Sequence, residues 1–147
     1  FDSYKVGTVA NSCSTMHKIA DKEFTLGDFS CEHLFGRYGD GLIYPDSPLG
    51  QLRKTVGTLN DYRDIYLKGG SIHGSDICYN PKDKDIWWQM IQLLPSSYNQ
   101  RRTVQLNYAV LRNMYHARKN HKLDEWKDFC TWMETLPCSR LITWDLT

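Results

Sequence analysis

Asn107, Asn113 and Arg118 lie in the stretch "TVQLNYAVLRNMYHARKNHKLDEW", residues 103–126, whose apolar spacing predicts one helix followed by the start of another. At about 100° per residue, Asn107 and Arg118 point in nearly the same direction as Leu111 and Met114. An amide and a guanidinium therefore share the stripe that should face a core. Two roles fit these side chains. Either they cap or anchor the helix ends, where backbone partners satisfy buried polar groups, or they face a bound anion or cofactor. A guanidinium offers planar, charge-assisted hydrogen bonds to an anion, and an Asn amide both donates and accepts.

Other residues with chemical potential are less well spaced. Cys13, His17, Cys31 and His33 could supply four metal ligands as C-x3-H and C-x-H. Neither spacing is the tight pair of a structural zinc site, so separate side chains and no metal centre are expected. Arg101-Arg102 and Arg118-Lys119, with His116 and His121, are able to meet phosphate groups. Standing alone, such charges more often form a solvated helix face. No Gly-rich phosphate loop, G-x-S-x-G elbow or H-E-x-x-H pair occurs in the chain.

The elements that would position these residues follow from patterning. The 147 residues are 41% hydrophobic and 13% aromatic, enough for one folded domain with a real core. A formal net charge of +1 gives no global field toward nucleic acid or an anionic membrane. No apolar run approaches the length of a membrane span. "DSYKVGTVANSCSTMHKIA" predicts a strand end or turn entering a short helix near residues 11–19, and "DFSCEHLFGRYGDGLIYPDSP" a long surface loop. Leu49, Leu52, Val56, Leu59 and Tyr62 or Tyr66 recur at helical spacing between Pro48 and Gly69. "DKDIWWQMIQLLP" predicts another helix, ending before Pro95. In "KLDEWKDFCTWMETLP", Leu123, Trp126, Phe129 or Cys130, Met133 and Leu136 form a helical stripe closed by Pro137. The same spacing assigns Trp87, Trp88, Trp126, Trp132 and Trp144 to a helical core. The fold expected is α+β with a helix-rich C-terminal half. The start at Phe1 predicts a single domain over 1–147 that lacks an N-terminal segment.

From Leu94-Pro95 to Arg118 the chain resembles, without a gap, the C-terminal helical segment of flavin-dependent thymidylate synthases. There a Leu-Pro precedes a helix bearing an Asn, a second Asn or His near its middle, and a closing Leu-Arg. The matching positions are Pro95, Asn107, Asn113 and Arg118. "YKVGTVANSCSTMH" occupies the place of the family's N-terminal signature, where Asn11 and Ser14 match. Tyr4, Lys5 and Val6 replace its Arg-His-Arg, Val9 its first Ser, Ser12 its Glu, Met16 its later Arg and His17 its Tyr. Valine and methionine cannot donate a hydrogen bond to a phosphate.

The resemblance implies that Asn11, Asn107 and Asn113 contact FAD, and that Ser14 and Arg118 contact a dUMP-like nucleotide. It also implies a homo-oligomer, a tetramer in the family, with sites shared between subunits. The protein implied is a divergent member that binds the nucleotide, FAD or both. The lost signature residues leave methylation of dUMP open. The alternative is a non-enzymatic interaction protein of a phage or mobile element, using its aromatic residues to hold a partner. Five scattered cysteines, Cys13, Cys31, Cys78, Cys130 and Cys138, form no even-numbered disulfide framework, and no Asn-x-Ser/Thr sequon occurs. Free thiols and a cytoplasmic location are expected.

Overall fold

The computed structural model describes residues 7–12, 15–39, 41–72 and 74–144. The fold is α+β. Its contacts divide into two compact units, one joining 7–12 to 102–144 and the other spanning 15–101.

The unit spanning 15–101 contains helices α1 (Thr15–Lys18), α2 (Pro48–Lys68) and α3 (Lys84–Leu93), and the strand pair β2 (Gly70–Ser71) and β3 (Cys78–Tyr79). The strand β1 (Thr8–Ser12), which precedes them in the chain, belongs to the other unit. α2 begins where Ser47 Oγ accepts from Gly50 N–H at 3.0 Å and Pro48 occupies the first turn. It stops at Gly69, whose φ of 76° suits a residue without Cβ. Leu52, Val56 and Leu59 line one face of α2 and pack with Met90 of α3 and with Ile19, Phe24 and Phe29. Tyr98 completes this core with its ring edge-on to Phe29, 5.5 Å between centroids.

Side-chain clamps fix the irregular first third of the chain to α2. Asn60 accepts from the Phe24 N–H at 2.8 Å and donates to the Phe24 carbonyl at 2.9 Å, so one amide satisfies both backbone groups of a buried residue. Arg63 Nε donates to the Ala20 carbonyl at 3.0 Å. Asp28 accepts from the Thr25 N–H at 2.8 Å and also from Lys22 Nζ.

The other unit places β1 antiparallel to β4 (Arg102–Leu106), with Thr8 opposite Leu106 and Ser12 opposite Arg102. This corrects the continuous helix expected from residue 103. Val104 and Leu106 are half-buried while Thr103 and Gln105 are exposed, a period of two that the helical stripe from Asn107 onward obscured. α4 (Tyr108–Arg118), α5 (Asp124–Glu134) and the short α6 (Arg140–Thr143) follow. They enclose Leu111, Cys130, Met133 and Ile142. Polar ties join them: Tyr115 Oη donates to Glu134 Oε1 at 2.7 Å, Tyr108 Oη to the Pro137 carbonyl at 2.5 Å, and His116 Nε2 to the Ile142 carbonyl at 3.1 Å.

The core assignment holds for Trp87, which packs against the core of α2 and α3, and is corrected for Trp88, Trp132 and Trp144. Trp88, Trp132 and Trp144 are exposed, Trp144 by 70%, and Trp87 and Trp126 are half-buried. The apolar interior is closed by methionines: Met90, Met114 and Met133 are fully buried. Among the described residues no helix is long and apolar enough to cross a membrane.

Burial works against ionisation of Asp28, but the hydrogen bonds from Lys22 and Thr25 outweigh it and hold the carboxyl below its ordinary value of 3.8. Its contribution is full above that value and is lost as pH falls through the lower folded value. Urea unfolding from neutral to strongly acid solution should therefore show a steeper acid-side loss for the native protein than for Asp28→Asn. The variant should also lose about 1 kcal/mol at neutral pH, as for a capping residue.

Candidate functional site

The sequence singles out α4, and the structure separates the roles of its polar residues. Asn107 follows β4 with φ −96° and ψ 166°, and its Oδ1 accepts from the Val110 N–H at 2.9 Å. That is the N-cap of α4, one of the two roles open from the sequence. Asn107 shares an azimuth with Leu111 because the cap begins the helix whose buried face Leu111 continues.

Arg118 closes the last turn of α4. The chain turns sharply after it, with the His121 N–H on the Arg118 carbonyl at 2.9 Å, and the following α5 packs back against α4. This return brings the indole of Trp126 under the guanidinium, with Cζ 5.1 Å from the ring centroid. Arg118 Nε is buried and has no hydrogen-bond partner among the described residues. An unpaired buried donor is costly, so it marks a place where a further acceptor would stabilise the structure.

Beside this pair runs a cleft of about 360 Å³ lined by Leu123, Glu125, Trp126 and Phe129. Trp126 and Phe129 meet edge-on at 6.0 Å, and Phe129 stacks on Trp132 at 5.3 Å with 20° between planes. The His121 ring lies 6.2 Å from Trp126, with its Nδ1 accepting from the Leu123 N–H at 3.2 Å. The result is an aromatic wall with a cation over one end and a carboxylate at its edge. Such a wall accepts a planar ring by stacking, and the guanidinium offers two parallel donors to an anion or carbonyl.

The remaining candidates do not converge on this cleft. Asn107 and Arg118 stand about 16 Å apart along the helix axis, at a rise of 1.5 Å per residue. Asn113 is exposed, and its helix position is rotated about 120° from that of Asn107 and about 140° from that of Arg118. Asn11 sits in β1 opposite Thr103. Its side chain and the whole of Ser14 lie outside the described residues, as does Cys13. Among the described residues no three His, Cys, Asp or Glu side chains gather as a metal site. Sequence reasoning missed Glu125, Trp126 and Phe129 as site residues. Their signal was present: an aromatic pair at i, i+3 that starts eight residues beyond Arg118.

Comparison with models of protein families, with curated proteins and with solved structures gave no match for the chain.

Two outcomes follow from this geometry. Asn107→Ala should lower the urea midpoint by an amount worth about 1 kcal/mol, the usual loss for an N-cap; an unchanged midpoint would contradict the cap role. Thiol labelling of the native protein should modify the exposed Cys78 and Cys138 first. Cys130 should lag, because burial, with the neighbouring Glu134, raises its pKa and disfavours the reactive thiolate. Cys130 labelling as fast as Cys138 would overturn this.

Proposed function

We propose that the chain binds a mononucleotide of the dUMP type in the cleft beside Arg118. The observation that carries this is the Arg118 Nε, buried and without a hydrogen-bond partner among the described residues, on a guanidinium that lies over Trp126, itself one wall of an aromatic cleft. In this reading the Nε–H and a neighbouring Nη–H form a side-on pair of donors to the phosphate or to a base carbonyl. The pyrimidine lies between the walls formed by Trp126 and Phe129, whose planes stand 74° apart, and the Glu125 carboxylate accepts from its ring N–H. A volume of about 360 Å³ lies at the small end of ligand sites, which suits one nucleotide.

The resemblance to flavin-dependent thymidylate synthases supports the same choice of Arg118 and adds FAD and a homo-oligomer to the reading. FAD fits the described residues less well. Asn107 is engaged as a cap, Asn113 points elsewhere, and the cleft is too small to enclose a dinucleotide. The FAD assignment therefore rests on the resemblance, and no chemical step is derived through it. The second reading, an interaction protein, is favoured by one observation: Trp132, Leu141 and Trp144 are all exposed in the α5–α6 region. The absorbance spectrum of purified protein separates flavin binding from both nucleotide-only and partner-only function.

The test is a titration of dUMP, and separately of FAD, against native protein and Arg118→Ala, read by tryptophan fluorescence and paired with urea melts. The substitution should weaken dUMP binding by roughly 1.5–3 kcal/mol, the range for hydrogen bonds to charged groups, with little change in midpoint. A midpoint that falls sharply, with no dUMP binding by either protein, would sink the proposal.

A further inference from the structure

A second cleft opens along the seam of α2 and α3, wholly within the unit spanning 15–101. It has a volume of about 370 Å³ and is lined by Thr58 and Tyr62 of α2 and by Gln89, Gln92 and Leu93 of α3. Helix geometry explains the grouping. Thr58 and Tyr62 stand one turn apart beside the fully buried Leu59, and Gln89 and Leu93 stand one turn apart beside the fully buried Met90. Leu59 and Met90 belong to one core cluster that holds the two helices together, so the walls of the cleft are set on rigid elements.

The lining chooses the chemistry of what it can hold. None of the five side chains carries a charge. An ion entering here would lose water with no counter-charge to replace it, and a wholly apolar molecule would strip water from four polar side chains without bonding them. A neutral molecule whose groups both donate and accept meets neither cost. Thr58 Oγ1 donates to the Lys54 carbonyl at 3.1 Å and Gln89 Nε2 to the Asp85 carbonyl at 3.3 Å, so the oxygens of both side chains keep lone pairs for an incoming O–H. The Tyr62 hydroxyl and the Gln92 amide are held by no other described residue, and each can donate and accept. The Tyr62 ring and Leu93 supply the apolar part of the wall.

We infer that this cleft binds an uncharged sugar ring, either a free neutral hexose or one unit of a longer saccharide. A pyranose carries at its edges hydroxyls that donate and accept, matched by the amides and hydroxyls of the cleft, and on its faces C–H groups, matched by Tyr62 and Leu93. The volume lies at the small end of ligand sites, room for one ring with bridging water. The cleft belongs to a different unit from Arg118 and shares no residue with the aromatic cleft there, so occupancy of one does not require the side chains of the other.

Saturation-transfer NMR on the full chain, with glucose, galactose, mannose and N-acetylglucosamine titrated singly through the millimolar range, tests the inference. At least one of these sugars should bind the native chain. Gln89→Ala combined with Gln92→Ala should weaken that binding about 10-fold or more, and Tyr62→Phe, which keeps the ring, should weaken it several-fold, as for the loss of one hydrogen bond. The urea midpoint should stay native in each, since both glutamines are exposed and phenylalanine preserves the packing of Tyr62 on the core. If the double variant unfolds early, Tyr62→Phe alone decides. Arg118→Ala should bind the sugar as the native chain does. Binding of none of the four sugars would overturn the inference, as would glucuronate binding more tightly than glucose, because a cleft without a cation gains nothing from a carboxylate. Folded variants that bind like the native chain would place the sugar elsewhere and overturn it equally.

Discussion

The hydrogen bond from the Val110 N–H to Asn107 Oδ1 decides where an extended chain becomes a helix. Shift that start by one residue and every later position of α4 rotates by about 100°. Leu111 and Met114 would leave the core, and Arg118 would leave the ring of Trp126. The cap also converts an orphan donor of the first helical turn into a satisfied one, which a helix emerging directly from β4 requires. The geometry of the cleft at the far end of α4 thus depends on a polar contact about three helical turns away.

The other unit solves a different problem. Residues 19–29 form little regular structure, so their backbone groups need partners that a ladder would otherwise supply. Asn60 and Arg63, one turn apart on α2, provide them for Phe24 and Ala20. With the carbonyl and N–H of Phe24 satisfied, its ring can enter the core beside Leu59 without leaving polar atoms stranded. Two helix side chains therefore do the work of a neighbouring strand.

Both interiors are closed by flexible methionines, and the aromatic rings lie nearer the surface. Met90, Met114 and Met133 adapt to irregular gaps between short helices, where a rigid indole would demand a flat, wide slot and a partner for its N–H. Leaving Trp126 half-buried places one ring face against protein and keeps part of the side chain accessible beside Arg118. The same division leaves Tyr38 and Tyr44, and Trp132 on α5, exposed. Amphipathic rings of this kind supply large contact area at little cost in side-chain entropy.

Local rules in the sequence determined most of the element boundaries. Pro48 and Gly69 bracket α2, Pro95 stands just beyond α3, and the long Gly-rich segment after Phe35 forms no helix, because these residues act through their own φ or missing N–H whatever surrounds them. The sequence also singled out Arg118 as a polar group on an apolar face. It could not locate β4, since a strand of five residues is stabilised by pairing with β1, almost a hundred positions earlier, and its period-two signal is short beside the helical stripe that follows. It could not choose between cap and ligand for Asn107, because the choice turns on the backbone conformation of that one residue. Nor could it place the tryptophans: helical spacing fixes the direction of each ring about its own axis, and only the packing of α3 on α2 in one unit, and of α4, α5 and α6 in the other, decided which directions face protein and which face water.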